Sequence, residues 1–156
     1  MSGILDKFHL VKGLNPIADA FSGTVYSDVV RDLGEGLLFI IYKGVSTGGT
    51  DNATVTVQAC DDTTPSTTSA VAFYYRACTS ADTWGVWTPA TAAAGFSITA
   101  GSSQMYMVYV PSAKLAEVGY GYGRLKSVEV TDDPVVGCIL ALVTDPRYSE
   151  QPQTLI

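Results

Sequence analysis

Catalysis needs side chains that move protons, attack carbon or hold metal, and several of them must converge in one cleft. The chain offers one histidine, His9. Gly44-Val45-Ser46-Thr47-Gly48 matches the Gly-x-Ser-x-Gly string that raises a nucleophilic serine on a strand-to-helix elbow. That elbow needs a helix directly afterwards and a histidine later in the chain. Here Gly49-Thr50-Asp51-Asn52 leads into a strand pattern, and His9 lies upstream. The string therefore reads as a glycine-rich hairpin turn. His9 would act as a base only if its segment folded into a cleft.

Asp61-Asp62 and Asp132-Asp133 are the adjacent acidic pairs. Glycosidases hold two carboxylates across a cleft, and calcium loops gather several oxygens. Neighbours on a strand point to opposite faces, so neither pair alone makes such a site. Both read as turn residues that accept backbone hydrogen bonds. Gly119-Tyr120-Gly121-Tyr122-Gly123 has the glycines of a phosphate loop, but Lys126-Ser127 follows too late and no helix opens there. It reads as a tight turn. The expectation is a protein that is not an enzyme, with no cofactor and no metal site.

Aromatic residues offer a different chemistry. Trp84, Trp87, Tyr74 and Tyr75 would make a platform for a sugar ring or a protein partner if they shared a surface. Ordinary packing is the competing reading.

The totals narrow the class. A chain of 156 residues that is 47% hydrophobic fits one domain with a full core, burying about 70% of its unfolded surface. The net charge is −6 and the nine basic residues are scattered. Phosphate binders gather their lysines and arginines on one face, so neither nucleic acid nor an anionic membrane is the expected partner. The cysteines, Cys60, Cys78 and Cys138, make an odd count and fall in strand-like runs, which favours buried thiols. The N-terminus lacks a basic region followed by an apolar one, so no signal peptide is expected. The apolar runs at 37–42 and 135–143 fall far short of the roughly 20 residues that span a bilayer. Folding in a reducing, cytosol-like compartment follows.

Strands must position whatever site exists. Residues 24–30, 36–43, 53–60, 70–78, 95–99, 103–110, 124–130 and 135–143 carry strand signals, divided by Gly, Ser, Thr, Asp and Pro. Residues 53–60 alternate, with Ala53, Val55, Val57 and Ala59 on one side. Residues 36–43 are apolar on both sides, as are 105–109, where Met105, Met107 and Tyr109 oppose Tyr106 and Val108. A strand of that kind is buried once in the core and once in a contact. Residues 112–118 fit one or two helical turns. The expected fold is all-β: an antiparallel β-sandwich of jelly-roll type over 23–145, with an extended N-terminal arm at 1–22 and a C-terminal tail at 146–156. Its expected core contains Phe39, Ile41, Val55, Val57, Val108, Val128 and Ile139. In the arm, Phe8, Leu10, Leu14, Ile17 and Phe21 are apolar but irregularly spaced, and Gly13 and Pro16 interrupt a helix. Such an arm should dock on something, and its removal should leave the sandwich folded.

Residues 4–28, Ile-Leu-Asp-Lys-Phe-His-Leu-Val-Lys-Gly-Leu-Asn-Pro-Ile-Ala-Asp-Ala-Phe-Ser-Gly-Thr-Val-Tyr-Ser-Asp, are similar to the start of small proteins from the head-gene modules of tailed bacteriophages. Residues 119–148, through Tyr122-Gly123-Arg124-Leu125-Lys126-Ser127-Val128-Glu129-Val130 to Thr144-Asp145-Pro146-Arg147-Tyr148, resemble their C-terminal part. Ala59-Cys60-Asp61-Asp62 and Phe73-Tyr74-Tyr75-Arg76 fit as well. The resemblance implies a virion structural protein, a head decoration or cement protein. Such a protein is made in the host bacterial cytoplasm and placed on the outer capsid surface. Its implied partners are the major capsid protein and further copies of itself, as a dimer or trimer. The contact residues expected from the sequence are Phe8, Leu10, Leu14, Ile17 and Phe21 in the arm, with Trp84, Trp87, Met105, Met107 and Tyr109 on the body. The alternative is a carbohydrate- or receptor-binding sandwich of a phage tail or surface protein, using Trp84, Trp87 and the tyrosines.

Overall fold

The structure, a computed structural model, describes residues 8–144, with 47–51 described by backbone alone. The expected tail at 146–156 and the first seven residues of the arm lie outside the described residues. In chain order the elements are β1 (Phe8–Ile17), β2 (Thr24–Tyr26), β3 (Val30–Arg31), β4 (Gly36–Lys43), β5 (Ser46–Cys60), β6 (Thr68–Val71) and β7 (Phe73–Ser80). They continue with β8 (Thr83–Trp84), β9 (Thr88–Ala90), β10 (Phe96–Gly101), β11 (Met105–Pro111), α1 (Ser112–Ala116), β12 (Tyr122–Glu129) and β13 (Gly137–Thr144).

Two antiparallel sheets pack face to face, as the strand pattern predicts. The first has the order β1-β13-β4-β11-β7-β8, with β9 also on β7. The second has the order β10-β5-β12-β2, with β3 on β12 and β6 on β5. Phe39, Ile41, Tyr106, Val108, Ile139 and Val143 of the first sheet meet Ala53, Val55, Val57, Ile98 and Leu125 of the second in one core. Phe96 keys the two together. Its ring stacks on Tyr75 at 4.3 Å and meets Phe73 edge-on at 6.1 Å, geometries that aromatic pairs prefer. The Tyr106 hydroxyl donates to Gln104 Oε1 and accepts from the Thr99 amide, so its buried oxygen is satisfied.

Four expectations need correction. Residues 8–17 are not an arm outside the sheet: they form β1 and pair with β13 from Phe8↔Thr144 to Ile17↔Gly137. Register shifts between Lys12 and Leu14, and between Leu14 and Ile17, break the period-two pattern that would reveal a strand. Gly13 lies where a Cβ would stand 3.0 Å from Ile139, and Pro16 is tolerated because β1 is an edge. Val11, Ala20 and Phe21 belong to the core, so removing this segment would open the core and bare the edge of β13. Second, Val128 is not a core residue. On β12 Leu125 and Ser127 point inward, which sends Val128 outward, 38% exposed. Third, the run 70–78 is two strands in different sheets, broken at Ala72. Fourth, Gly44-Val45-Ser46-Thr47-Gly48 is not a hairpin turn: Gly44-Val45 is the step from β4 in one sheet to β5 in the other, and β5 already begins at Ser46.

Two measurements follow. Phe39→Ala empties the centre of the core and should cost about 3–5 kcal/mol in urea unfolding, as large-to-small core changes do. All three cysteines are free, with Cys60 and Cys78 buried and Cys138 half-buried. Burial pushes the Cys60 thiol up to about 11. A thiol reagent at pH 8 should therefore label Cys138 first and reach Cys60 and Cys78 only on unfolding, as read by peptide mass spectrometry.

Candidate functional site

The outward faces of the two sheets differ in chemistry. On the second sheet Thr54, Thr56 and Gln58 of β5, Ser97 and Thr99 of β10, and Arg124 and Lys126 of β12 point outward. Arg124 Nε donates to Gln58 Oε1 at 3.0 Å, and its guanidinium covers the Tyr26 ring at 4.1 Å. That is an ordinary solvated sheet face.

The first sheet is apolar on both sides. The register aligns its outward side chains in three rows. One row runs Leu10, Leu142, Leu38, Tyr109, Tyr74. The next runs Lys12, Leu140, Ile40, Met107, Arg76. The third runs Cys138, Tyr42, Met105, Cys78, Trp84. No residue in these rows is acidic. Leu10 is 55% exposed, Tyr42 49%, Tyr74 42% and Leu140 39%. Six strands about 4.8 Å apart and three rows about 7 Å apart cover on the order of 500 Å². That is the footprint of the face, its half-buried members included, and the largest apolar patch of a protein this size is often functional.

The tryptophans close one end of this face. Trp84 sits on β8, opposite Cys78 of β7, and Trp87 lies in the following turn, 43% exposed. The Arg76 guanidinium stands 4.8 Å from the Trp84 ring centre and 4.7 Å from that of Trp87. Trp87 also meets Tyr109 edge-on at 6.4 Å. The expected aromatic platform is therefore divided. Tyr74 faces outward, but Tyr75 points into the core against Phe96, and each indole already carries Arg76 on its ring.

The other contact residues named from sequence separate in the same way. Phe8 is half-buried on β1, Leu14 packs against the core, and Phe21 is buried in it. Leu10 joins the outer face, and Ile17 is exposed at the far end of β1. Met105, Met107 and Tyr109 lie mid-face, half-buried. Sequence reasoning missed Leu38, Ile40, Leu140 and Leu142. The signal lay in the runs 36–43 and 135–143, which are apolar at both parities.

Ser46 has a different setting. Its Oγ accepts from the buried Lys43 Nζ at 2.7 Å and donates to Asn52 Oδ1 at 2.8 Å. Lys43 Nζ also donates to Gly101 O at 3.2 Å and to Asn52 Oδ1 at 3.4 Å. Asn52 Nδ2 donates to Asp133 Oδ2 at 3.2 Å. This network pins the β4–β5 step to the loops before β11 and β13. His9 pairs with Val143, opposite Leu37, whereas Lys43 pairs with Gly137. Six residues along β4 separate the two places, roughly 20 Å, so His9 does not serve Ser46. The Asp61-Asp62 pair caps a turn: Asp61 Oδ2 accepts from Ser66 Oγ and the Thr67 amide, which lowers its pKa, and Asp62 Oδ1 accepts from the Thr64 amide. Among the described residues no group of three His, Cys, Asp or Glu is placed to hold a metal. No described helix is long and apolar enough to cross a membrane.

No protein family and no curated protein matches the chain. Among solved structures it is similar to a chain of infectious bursal disease virus Gx strain, with 12% identity and a TM-score of 0.26. The match covers 90% of this chain and 41% of that one, so this chain spans less than half of the viral chain's length. So low a score carries no argument about function.

Burial pulls the Lys43 pKa down, and the Asp133 charge only partly counters this. The unfolded chain therefore holds this proton more tightly. The resulting penalty is full below the folded pKa and is relieved as pH rises towards 10.5. Lys43→Met removes it. Wild-type stability should rise relative to Lys43→Met between pH 7 and pH 10, by at most about 1.4 kcal/mol per pH unit. Urea titrations of both proteins check this, since the opposing ionisations of Cys60 and Tyr109 are common to both.

Proposed function

We propose that the chain is a virion structural protein that decorates and stabilises the outer surface of a tailed-phage capsid by bridging major capsid protein subunits. The observation that carries the reading is the outer face of the first sheet. Three rows of apolar side chains present an area suited to a standing contact, while the opposite face is polar and suits solvent. About 500 Å² from each partner reaches the ~1,000 Å² total of a specific interface. Repetition over a symmetric shell multiplies the effect of each contact through avidity. The resemblance at residues 4–28 and 119–148 supplies the capsid as the partner. The strand Met105–Pro111, apolar on both sides, is the middle of the face that the capsid covers.

Edge-to-edge association is guarded against at β1. Among the described residues β1 is one edge of the first sheet, with β8 at the other, and it carries Lys12, Pro16 and two register shifts. Those are the devices that keep an edge strand from pairing with another chain.

Sedimentation with heads assembled without this chain tests the reading. Leu140→Asp places a charge mid-face and should lower occupancy at least about tenfold, the equivalent of ~1.4 kcal/mol. Ser97→Asp, on the outward side of the second sheet, should bind like the wild type. Equal binding of all three proteins, or no binding of the wild type, would sink the proposal.

A further inference from the structure

We propose that Arg76, packed against the rings of Trp84 and Trp87, is a carboxylate-binding point, and that the docking element of the partner presents an Asp or Glu among apolar side chains. The inference rests on the reading of this face as the attachment surface, and it adds the chemistry of what attaches.

Arg76 is the cation at the Trp84–Trp87 end of the apolar rows, and it makes no ion pair among the described residues. Lys12, at the opposite edge, is paired with Asp28 at 3.5 Å. The hydrogen bond recorded for the Arg76 side chain runs from Nη2 to Met107 Sδ at 3.2 Å. A thioether is a weak acceptor. Nε is buried with no acceptor at all. Two indoles lie over the guanidinium, which is already partly stripped of water. What remains is in-plane donor capacity, held in place by two aromatic rings. A planar carboxylate accepts from such a fork in two parallel bonds. Because the arginine is fixed and partly dehydrated before anything arrives, little ordering is left for the binding step.

The same feature argues against a second copy as the occupant. A two-fold contact between identical faces would bury two Arg76 side chains, and the rows contribute no Asp or Glu to meet them. Buried charge without a partner is strongly unfavourable. Polyanions are disfavoured by the net charge of −6, and the apolar rows offer a phosphate nothing. An acidic side chain flanked by aliphatic ones fits both parts of the surface.

The test has two arms. In the first, Arg76→Gln and Arg76→Lys are sedimented with heads assembled without this chain, after urea titration has shown which are folded. Arg76→Gln should lose at least about tenfold in affinity. Arg76→Lys keeps the charge but not the fork, and should lose more than half of that on a logarithmic scale. In the second arm, fluorescence of Trp84 and Trp87 follows titration of the intact protein with N-acetyl-Leu-Glu-Leu-amide and N-acetyl-Leu-Gln-Leu-amide. The glutamate peptide should act at several-fold lower concentration, and Arg76→Gln should erase that difference. Indistinguishable peptides overturn the proposal. So does Arg76→Gln binding heads like the wild type while Leu140→Asp does not, an outcome that leaves capsid attachment standing. If wild-type protein does not bind heads, attachment itself falls, and the peptide pair alone decides on Arg76. A wild-type dimer in light scattering that Arg76→Gln strengthens would make the occupant a second copy and overturn it too.

Discussion

Strand β4 sets the constraint on which the rest of the structure depends. Residues 37–42 are six large apolar side chains in succession, and a strand alternates its faces. One half of them, Leu37, Phe39 and Ile41, must find an apolar neighbour on one side of the sheet. The other half, Leu38, Ile40 and Tyr42, must find one on the other. The second sheet answers the first demand completely. The central place of β4, between β13 and β11, then forces the same pattern on its neighbours. Each brings its own doubly apolar sequence, and the outward halves merge into one continuous face. A single solvated strand of this composition would be an irregularity; three side by side are a surface.

The contrast with β5 and β12 gives the molecule its polarity. There the alternation is strict over residues 53–59 of β5, with threonines and a glutamine outward, and nearly so on β12. Both sheets contribute to the core, yet only one has an outer side that water does not suit. Fold stability and the proposed contact are thus assigned to the two parities of the same strands. Phe39 belongs to the first property and Ile40 to the second.

Most of the architecture was legible in the sequence because strand periodicity survives wherever the ladder is regular. Residues 36–43 show their bounds and inward set directly, and 53–60 show the inward set of β5 but not its start at Ser46, which lies in a Gly/Ser/Thr-rich stretch that reads as a turn. β1 was not legible, since its two register shifts turn a period of two into an irregular series, and Gly13 and Pro16 imitate a break. The change of sheet at Ala72 was hidden for a related reason: strand-like residues continue through it, and composition does not record which layer a strand joins. Trp84 and Trp87 were visible as aromatic residues that could form a platform. Their clasp on Arg76 was not, because it depends on β7, β8 and the following turn meeting in space.

The pairing of Phe8 with Thr144 also settles how the molecule carries load. The first and last described strands are neighbours, and the two ends of the described chain lie about 5 Å apart across one antiparallel rung. Tension applied between those ends would peel β1 from β13 one hydrogen bond at a time, the weakest direction of a ladder. Tension spread over the outer face meets many strands at once and must slide them against one another. The described sandwich is thus mechanically soft where β1 meets β13, and stiff across its broad side.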